Sequence, residues 1–236
     1  MVKGIYTAAR ALDSRMRNLD IVANNLANVN TTGYKRELPF SEIIDQAGNA
    51  QIRQASDFRP GELAQTANPL DLALSGDGFF VVQSENGLQM TRDGKFSISN
   101  EGYLVNKQGY KVMGKSGAIN INMLQIDKQK EMTVSNSGEI KFGDQSVDNL
   151  LIVKPVDPQE SSRISGENFS AGTNGFNVAS VNEFQVKQGY VEESNVNPIK
   201  EMQDMILLNN EYDSAHKMIN YLDKSLDEAN QIGKVS

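Results

Sequence analysis

The sequence has no cysteine and a single histidine, His216. Without thiols there is no disulfide, no thiolate nucleophile and no Cys-based zinc site. One imidazole cannot build a His-rich metal centre, and His216 lies one position off an apolar helical seam, beside Lys217, where it reads as a surface residue. Long apolar runs are also missing. No stretch approaches the roughly 20 residues of a membrane span, and Arg10, Arg15 and Arg17 interrupt the N-terminal segment that could otherwise act as a signal peptide. The expectation is a chain with no membrane span and no cleavable signal. A basic excess is missing too: the net charge of −7 argues against nucleic acid, because affinity for phosphate backbones rests on clustered Lys and Arg.

What the chain does have is an apolar seam at each end. Ile5, Ala9, Leu12, Met16, Leu19, Ala23 and Leu26 are spaced three and four apart, the pattern of a helix that packs along one stripe. The same spacing recurs in Met205, Leu208, Tyr212, Ala215, Ile219, Leu222, Leu226 and Ala229. The spacing predicts a first helix from about Lys3 to Val29, with Gly33 as its stop, and a second opened by Asn197-Pro198 and closed by Gly233. Residues 1–40 hold six basic and three acidic side chains, and residues 197–236 four basic and seven acidic. The ends therefore carry +3 and −3, which favours their pairing and register.

Between the seams the composition changes. All nine Phe lie from Phe40 to Phe184, and sixteen of the nineteen Gly from Gly48 to Gly189. Short β-branched or aromatic stretches, Phe79–Gln83, Lys95–Ser99, Tyr103–Asn106, Tyr110–Met113, Glu131–Ser135, Glu139–Phe142 and Asn149–Lys154, alternate with turns such as Asn86-Gly87, Asp93-Gly94 and Asn136-Ser137-Gly138. This is the chemistry of antiparallel hairpins. The expected fold is α+β: long terminal helices packed as a coiled-coil-like pair, with a central, mostly antiparallel β domain. The expected divisions are 1–30 with 197–236 (helices), 31–69 with 182–196 (extended connectors, one short helix at Ser41–Gln46) and 70–181 (β domain), in which 157–181 reads as loop-rich and anchored by Phe169 and Phe176.

Catalytic readings find little support. Gly76-Asp77-Gly78 is followed by a strand and by no Lys-Ser or Lys-Thr, so it is turn chemistry rather than a phosphate cradle. Asp71, Asp77 and Asp93 each lie beside turn residues, where Asp is favoured locally. No catalytic residue, metal ligand or cofactor is expected. A cell-wall hydrolase would need a buried carboxylate of shifted pKa, and a monomeric β binding module would keep its function without the terminal helices; neither explains a seam at both ends.

Three regions resemble one family. The run Ala23-Asn24-Asn25-Leu26-Ala27-Asn28-Val29-Asn30-Thr31-Thr32-Gly33-Tyr34-Lys35 is similar to the N-terminal signature of bacterial flagellar rod and hook proteins. Gly76-Asp77-Gly78-Phe79-Phe80, with Thr91-Arg92-Asp93-Gly94, follows the β-domain pattern of the same family, and Gln185–Pro198 looks like the family's return into the last helix. Where such proteins carry Arg two residues before the helix Tyr and Glu after it, this chain has Asn210 and Asp213, with Lys217 in place. The resemblance implies a non-enzymatic axial subunit of the flagellar basal body. It further implies export through the flagellar type III apparatus and assembly with itself and other rod proteins in a helical array, in the periplasmic rod, with no small-molecule substrate. The length of 236 residues is more like the proximal-rod members than the longer distal-rod or hook proteins. The residues expected to make assembly contacts are Ile5, Leu12, Met16, Leu19, Leu26, Met205, Leu208, Tyr212, Ile219, Leu222 and Leu226. Those carrying the family signature are Asn24, Asn25, Leu26, Asn28, Thr32, Gly33, Tyr34, Gly76, Gly78, Phe79 and Phe80.

Overall fold

A computed structural model describes residues 2–39, 43–44, 50–51, 54–121, 132–143, 145–158, 160–172 and 174–233. The chain divides into two compact units, one of Met1–Ala27 with Asn197–Ser236 and one of Asn28–Val196.

The first unit is two helices, α1 (Val2–Ala27) and α2 (Pro198–Gly233). α2 starts where the sequence says it should: the Asn197 side-chain oxygen accepts the amides of Ile199 and Lys200, both at 3.1 Å, satisfying two of the donors a helix start leaves open. The helices run antiparallel. Arg15 meets Glu211 at 3.2 Å and the Asn25 amide donates to Glu201 at 3.2 Å, so α1 advances as α2 retreats. Arg15 and Glu211 are solvated and contribute little; Asn25 and Glu201 are both fully buried.

The expected α1 seam is split. Among the described residues of α1 the buried positions are Ile21, Val22 and Asn25, whereas the seam's Ala9, Met16 and Ala23 are exposed. At about 100° per residue these two sets lie on opposite sides of the helix, with half-buried Leu12, Leu19 and Leu26 flanking. Three-four spacing is satisfied by more than one stripe, and burial follows a different one. On α2, Met205, Leu208, Tyr212 and Ile219 are half-buried; the side chains of Ile5, Leu222 and Leu226 lie outside the described residues.

The second unit is β, and mostly antiparallel. Its central strand, Phe79–Ser84, pairs with Gly87–Thr91 along one edge and with both Lys111–Gly114 and Ile152–Pro155 along the other. Each face of this strand meets an apolar core, which is why Phe79-Phe80-Val81-Val82 is apolar without alternation. Phe80 and Val82 enter a large core with Leu72, Leu74, Leu104, Val112, Ile140, Leu150 and Val186. Phe79 and Val81 enter a smaller one with Met90, Val153 and Phe169.

Several expectations need correction. Residues 157–181 hold strands Ser162–Ser165, Asn168–Ser170 and Phe176–Val178, so the polar composition hid a hairpin packed through the fully buried Phe169. Ile43–Ile44 form a strand with Ala50–Gln51 where a short helix was expected; the rest of Ser41–Gln46 lies outside the described residues. α1 ends at Ala27, well before Gly33. The returning strand is present: Tyr190–Glu192 pairs antiparallel with Leu63–Gln65.

Candidate functional site

The residues of the two signature stretches converge in the second unit on a buried ionic joint. Its anion is Glu192, carried on the returning strand and 1% exposed. One carboxylate oxygen accepts from Lys35 Nζ at 2.5 Å and from the Gly61 amide at 2.9 Å; the other accepts from Arg92 Nη1 at 3.1 Å. The Glu192 carbonyl accepts the Gly33 amide at 2.8 Å. One residue thus ties together chain from 33–35, 61 and 92. Lys35 Nζ also donates to the Arg59 carbonyl at 2.9 Å, and Arg92 to the carbonyls of Leu74 and Gly76 at 3.1 and 2.7 Å.

Glycine is required here for room. A Cβ on Gly33 would lie 2.2 Å from the Asp93 amide nitrogen, at a φ of +70° that other residues avoid, and a Cβ on Gly61 would lie 2.0 Å from the Glu193 carbonyl oxygen. The Gly33 of the signature is therefore a close-approach residue, not a helix stop. Thr32 donates to the Asp93 carboxylate at 2.8 Å. Tyr34 is buried beneath the Arg163 guanidinium, 4.3 Å from the ring centre, and Arg163 also reaches Glu37 at 2.6 Å and the Lys35 carbonyl. Asn195 receives the Arg36 amide at 2.7 Å and donates to the carbonyls of Asp57 and Arg59 at 2.8 and 2.9 Å. Phe79 lies beneath Arg92 at 5.3 Å, and Phe80 packs edge-on to Phe96 in the main core.

Burial pushes Lys35 below the usual lysine range, with Glu192 pulling in the opposite direction. It lowers Arg92 as well, again opposed by Glu192, and it raises the Asp93 carboxyl above the usual range, opposed by the Thr32 hydrogen bond. Asp57 is lowered, first by its hydrogen bond from Arg59. A buried carboxylate of raised pKa resembles a general acid, yet Asp93 is turned inward, its Oδ1 accepting from both Thr32 and the Lys95 amide. Glu192 is filled by three donors. These groups face one another, so the arrangement fastens chain segments together and offers no acid or base to a substrate. A buried charge cluster of this kind contributes less to net stability than to uniqueness, because each member is costly to leave alone.

The structure brings Thr32, Gly33, Tyr34, Gly76 and Phe79 to the joint and leaves Asn25 and Leu26 on α1; Asn24 is exposed and Asn28 half-buried. Gly78 faces Ile152 beside the joint. Sequence reasoning gave Lys35, Arg36, Arg92, Arg163, Glu192 and Asn195 no role of their own. For Lys35, Arg36 and Glu192 the one signal was position, a charge beside glycine and an aromatic in Gly33-Tyr34-Lys35-Arg36 and Gly189-Tyr190-Val191-Glu192.

Comparison with known proteins finds matches at both ends and in the middle of the chain. Residues 5–35 match the family described as flagella basal body rod protein, residues 73–142 the flagellar hook protein FlgE/F/G D1 domain, and residues 187–232 the flagellar basal body rod FlgEFG protein C-terminal. The chain is 32% identical to the flagellar basal-body rod protein FlgF of Caulobacter vibrioides, over all of both chains. It is 30% identical to the FlgF of Mesorhizobium japonicum over 97% of each, and 29% identical to the flagellar basal-body rod protein FlgG of Borreliella burgdorferi over 98% of this chain and 99% of that one. With matches at both ends and the middle, and similarity along the full length, the chain belongs to the family of flagellar basal-body rod proteins, which are structural and not enzymatic.

Proposed function

We propose that the chain is a structural subunit of the proximal part of the flagellar basal-body rod, polymerising through its terminal helices and passing torque along the axis. The observation that carries this is the second apolar face of α2. Ile199, Met202, Ile206, Leu207, Met218 and Tyr221 are exposed, Ile206 at 62% and Tyr221 at 71%. At about 100° per residue they cluster on the side opposite Glu201, Met205, Leu208 and Tyr212. A helix apolar on both sides has one side left for a partner beyond its own chain. On α1, Ala9, Met16 and Ala23 form an exposed line at heptad spacing, which suits coiled-coil-like contact with a neighbour.

A head-to-tail, non-closing contact between such faces generates a filament. The joint at Glu192 then has a mechanical reading: it clamps the outgoing chain near Lys35 to the returning chain, so that load enters the β unit through two fastened segments rather than one flexible tether. Export through the flagellar type III apparatus, a periplasmic position and partnership with other rod proteins belong to the same reading. The FlgF relatives at 30 and 32% identity favour the proximal over the distal place.

The experiment is substitution on the exposed stripe. Ile206→Asp should abolish recovery of the chain in purified basal bodies and block motility, while the β unit of the purified variant unfolds at the wild-type temperature. Normal incorporation of Ile206→Asp would overturn the polymer-contact reading.

A further inference from the structure

The side that α2 turns toward α1 is not the more apolar of its two sides. Between Ile199 and Tyr212 the inward side holds half-buried Asp204, Met205, Leu208 and Tyr212 with the fully buried Glu201, whereas the outward side holds Ile199, Met202, Ile206 and Leu207. Hydrophobic burial is non-directional and grows with apolar area, so by itself it favours turning the helix by about half a revolution, with Ile199 and Ile206 against α1. What the turned helix could not keep is the hydrogen bond from the Asn25 amide to Glu201, 3.2 Å long between two side chains that are both 0% exposed. The Arg15–Glu211 pair joins the same helices, but it is solvated and too weak to decide the setting. An acid in the first turn of α2 also suits the helix dipole, which would explain Glu201 on any side of that turn but not its burial against Asn25.

We propose that Asn25 and Glu201 are the specificity-determining pair that sets the rotation of α2 about its own axis, holding the Ile206 face outward and free for a neighbouring chain. Buried polar partners select register and orientation in helix pairs, because any other setting leaves each of them buried away from the other. In this pair the polar contact opposes the hydrophobic preference and prevails over it, so the face richer in isoleucine stays in solvent until another chain covers it. Asn25, a signature residue outside the ionic joint, thereby has a task of its own. The use of the outward face in assembly rests on the rod reading; which face turns outward does not.

The test reads the rotation of α2 in the dilute purified chain. Ser214→Cys and Ala215→Cys, on its exposed and half-buried sides, each give the chain its only thiol, and a monofunctional maleimide should react faster at 214 than at 215. Asn25→Ala with Glu201→Ala removes the pair without adding apolar bulk to the inward side; it should slow the reaction at 214 and speed it at 215, as turned helices become populated. Adding Ile199→Gln and Ile206→Gln takes away the competing apolar face and should return both rates toward those of the unaltered pair. Glu201→Gln keeps an acceptor for the Asn25 amide and should leave both rates as they were. Unchanged rates in the double Ala variant would overturn the proposal. So would faster reaction at 215 without slowing at 214, which is what a contact that merely holds the helices together predicts, and so would rate changes that the two glutamines do not reverse. Because no rod is involved, normal incorporation of Ile206→Asp into basal bodies would remove the neighbouring chain and leave the choice of face standing.

Discussion

Glu192→Gln isolates the joint's central charge with almost no change in shape. The variant leaves Lys35 and Arg92, 0% and 2% exposed, with no anion between them. Removing one partner of a buried ion pair costs about 3–5 kcal/mol, and for a unit of this size each kcal/mol lowers the unfolding midpoint by about 2–4 °C. The expected loss is therefore roughly 6–20 °C. Lys35→Met behaves differently, because it leaves Glu192 and Arg92 as a balanced pair. It gives up the Lys35 bonds to Glu192 and the Arg59 carbonyl and should cost less, about 1–3 kcal/mol. The sign of the coupling is the sharper test: the double variant contains one unbalanced cation rather than two, so Lys35→Met should partly rescue Glu192→Gln. Thermal and urea unfolding followed by circular dichroism measures all three, and hydrogen exchange should show Gly33 and Gly61, whose amides donate to Glu192, losing protection first. A Glu192→Gln variant as stable as the wild type, or a double variant less stable than either single one, would refute the reasoning.

Gly61→Ala places a methyl 2.0 Å from the Glu193 carbonyl oxygen and should cost about 1–3 kcal/mol or more by forcing the two connectors apart; unfolding midpoints check it. Asn197→Ala removes the α2 cap and should cost about 1 kcal/mol of helix stability, read as faster exchange confined to the first turns of α2. Asp93→Asn should gain stability relative to the wild type as pH rises. Burial holds the folded carboxyl above the unfolded value of 3.8, so the wild type loses stability between 3.8 and the folded pKa and the Asn variant does not; a difference in midpoint that is the same at pH 4 and pH 7 would contradict this.

The elements that could be read from sequence are those specified locally. Periodicity located α1 and α2, Asn197-Pro198 fixed the start of α2, and Asn136-Ser137-Gly138 placed the turn between Met132–Val134 and Glu139–Phe142. The elements that escaped depend on distant partners. Which stripe of α1 becomes buried is decided by what lies against it, so Ile21 and Val22 displaced the regular line of Ala9, Met16 and Ala23. In the mostly polar hairpin at 162–170 the anchoring Phe169 could be picked out, but the pairing of Ser162–Ser165 with Asn168–Ser170 could not, because no alternation marks it. The joint was least legible: Lys35 and Glu192 are 157 residues apart, and a lysine beside a helix end looks solvated until its carboxylate is in place.

The exposed face of α2 is the proposed place where one subunit meets the next. Because the chain has no cysteine, Ile206→Cys introduces its only thiol and gives crosslinking a silent background. In basal bodies isolated from cells carrying this variant, a bifunctional maleimide with a second rod subunit bearing a single cysteine on its own α2 face should yield a covalent species of summed mass. A variant that is incorporated and reactive toward a monofunctional maleimide, yet yields only the single-chain mass with every such partner, would contradict the claim.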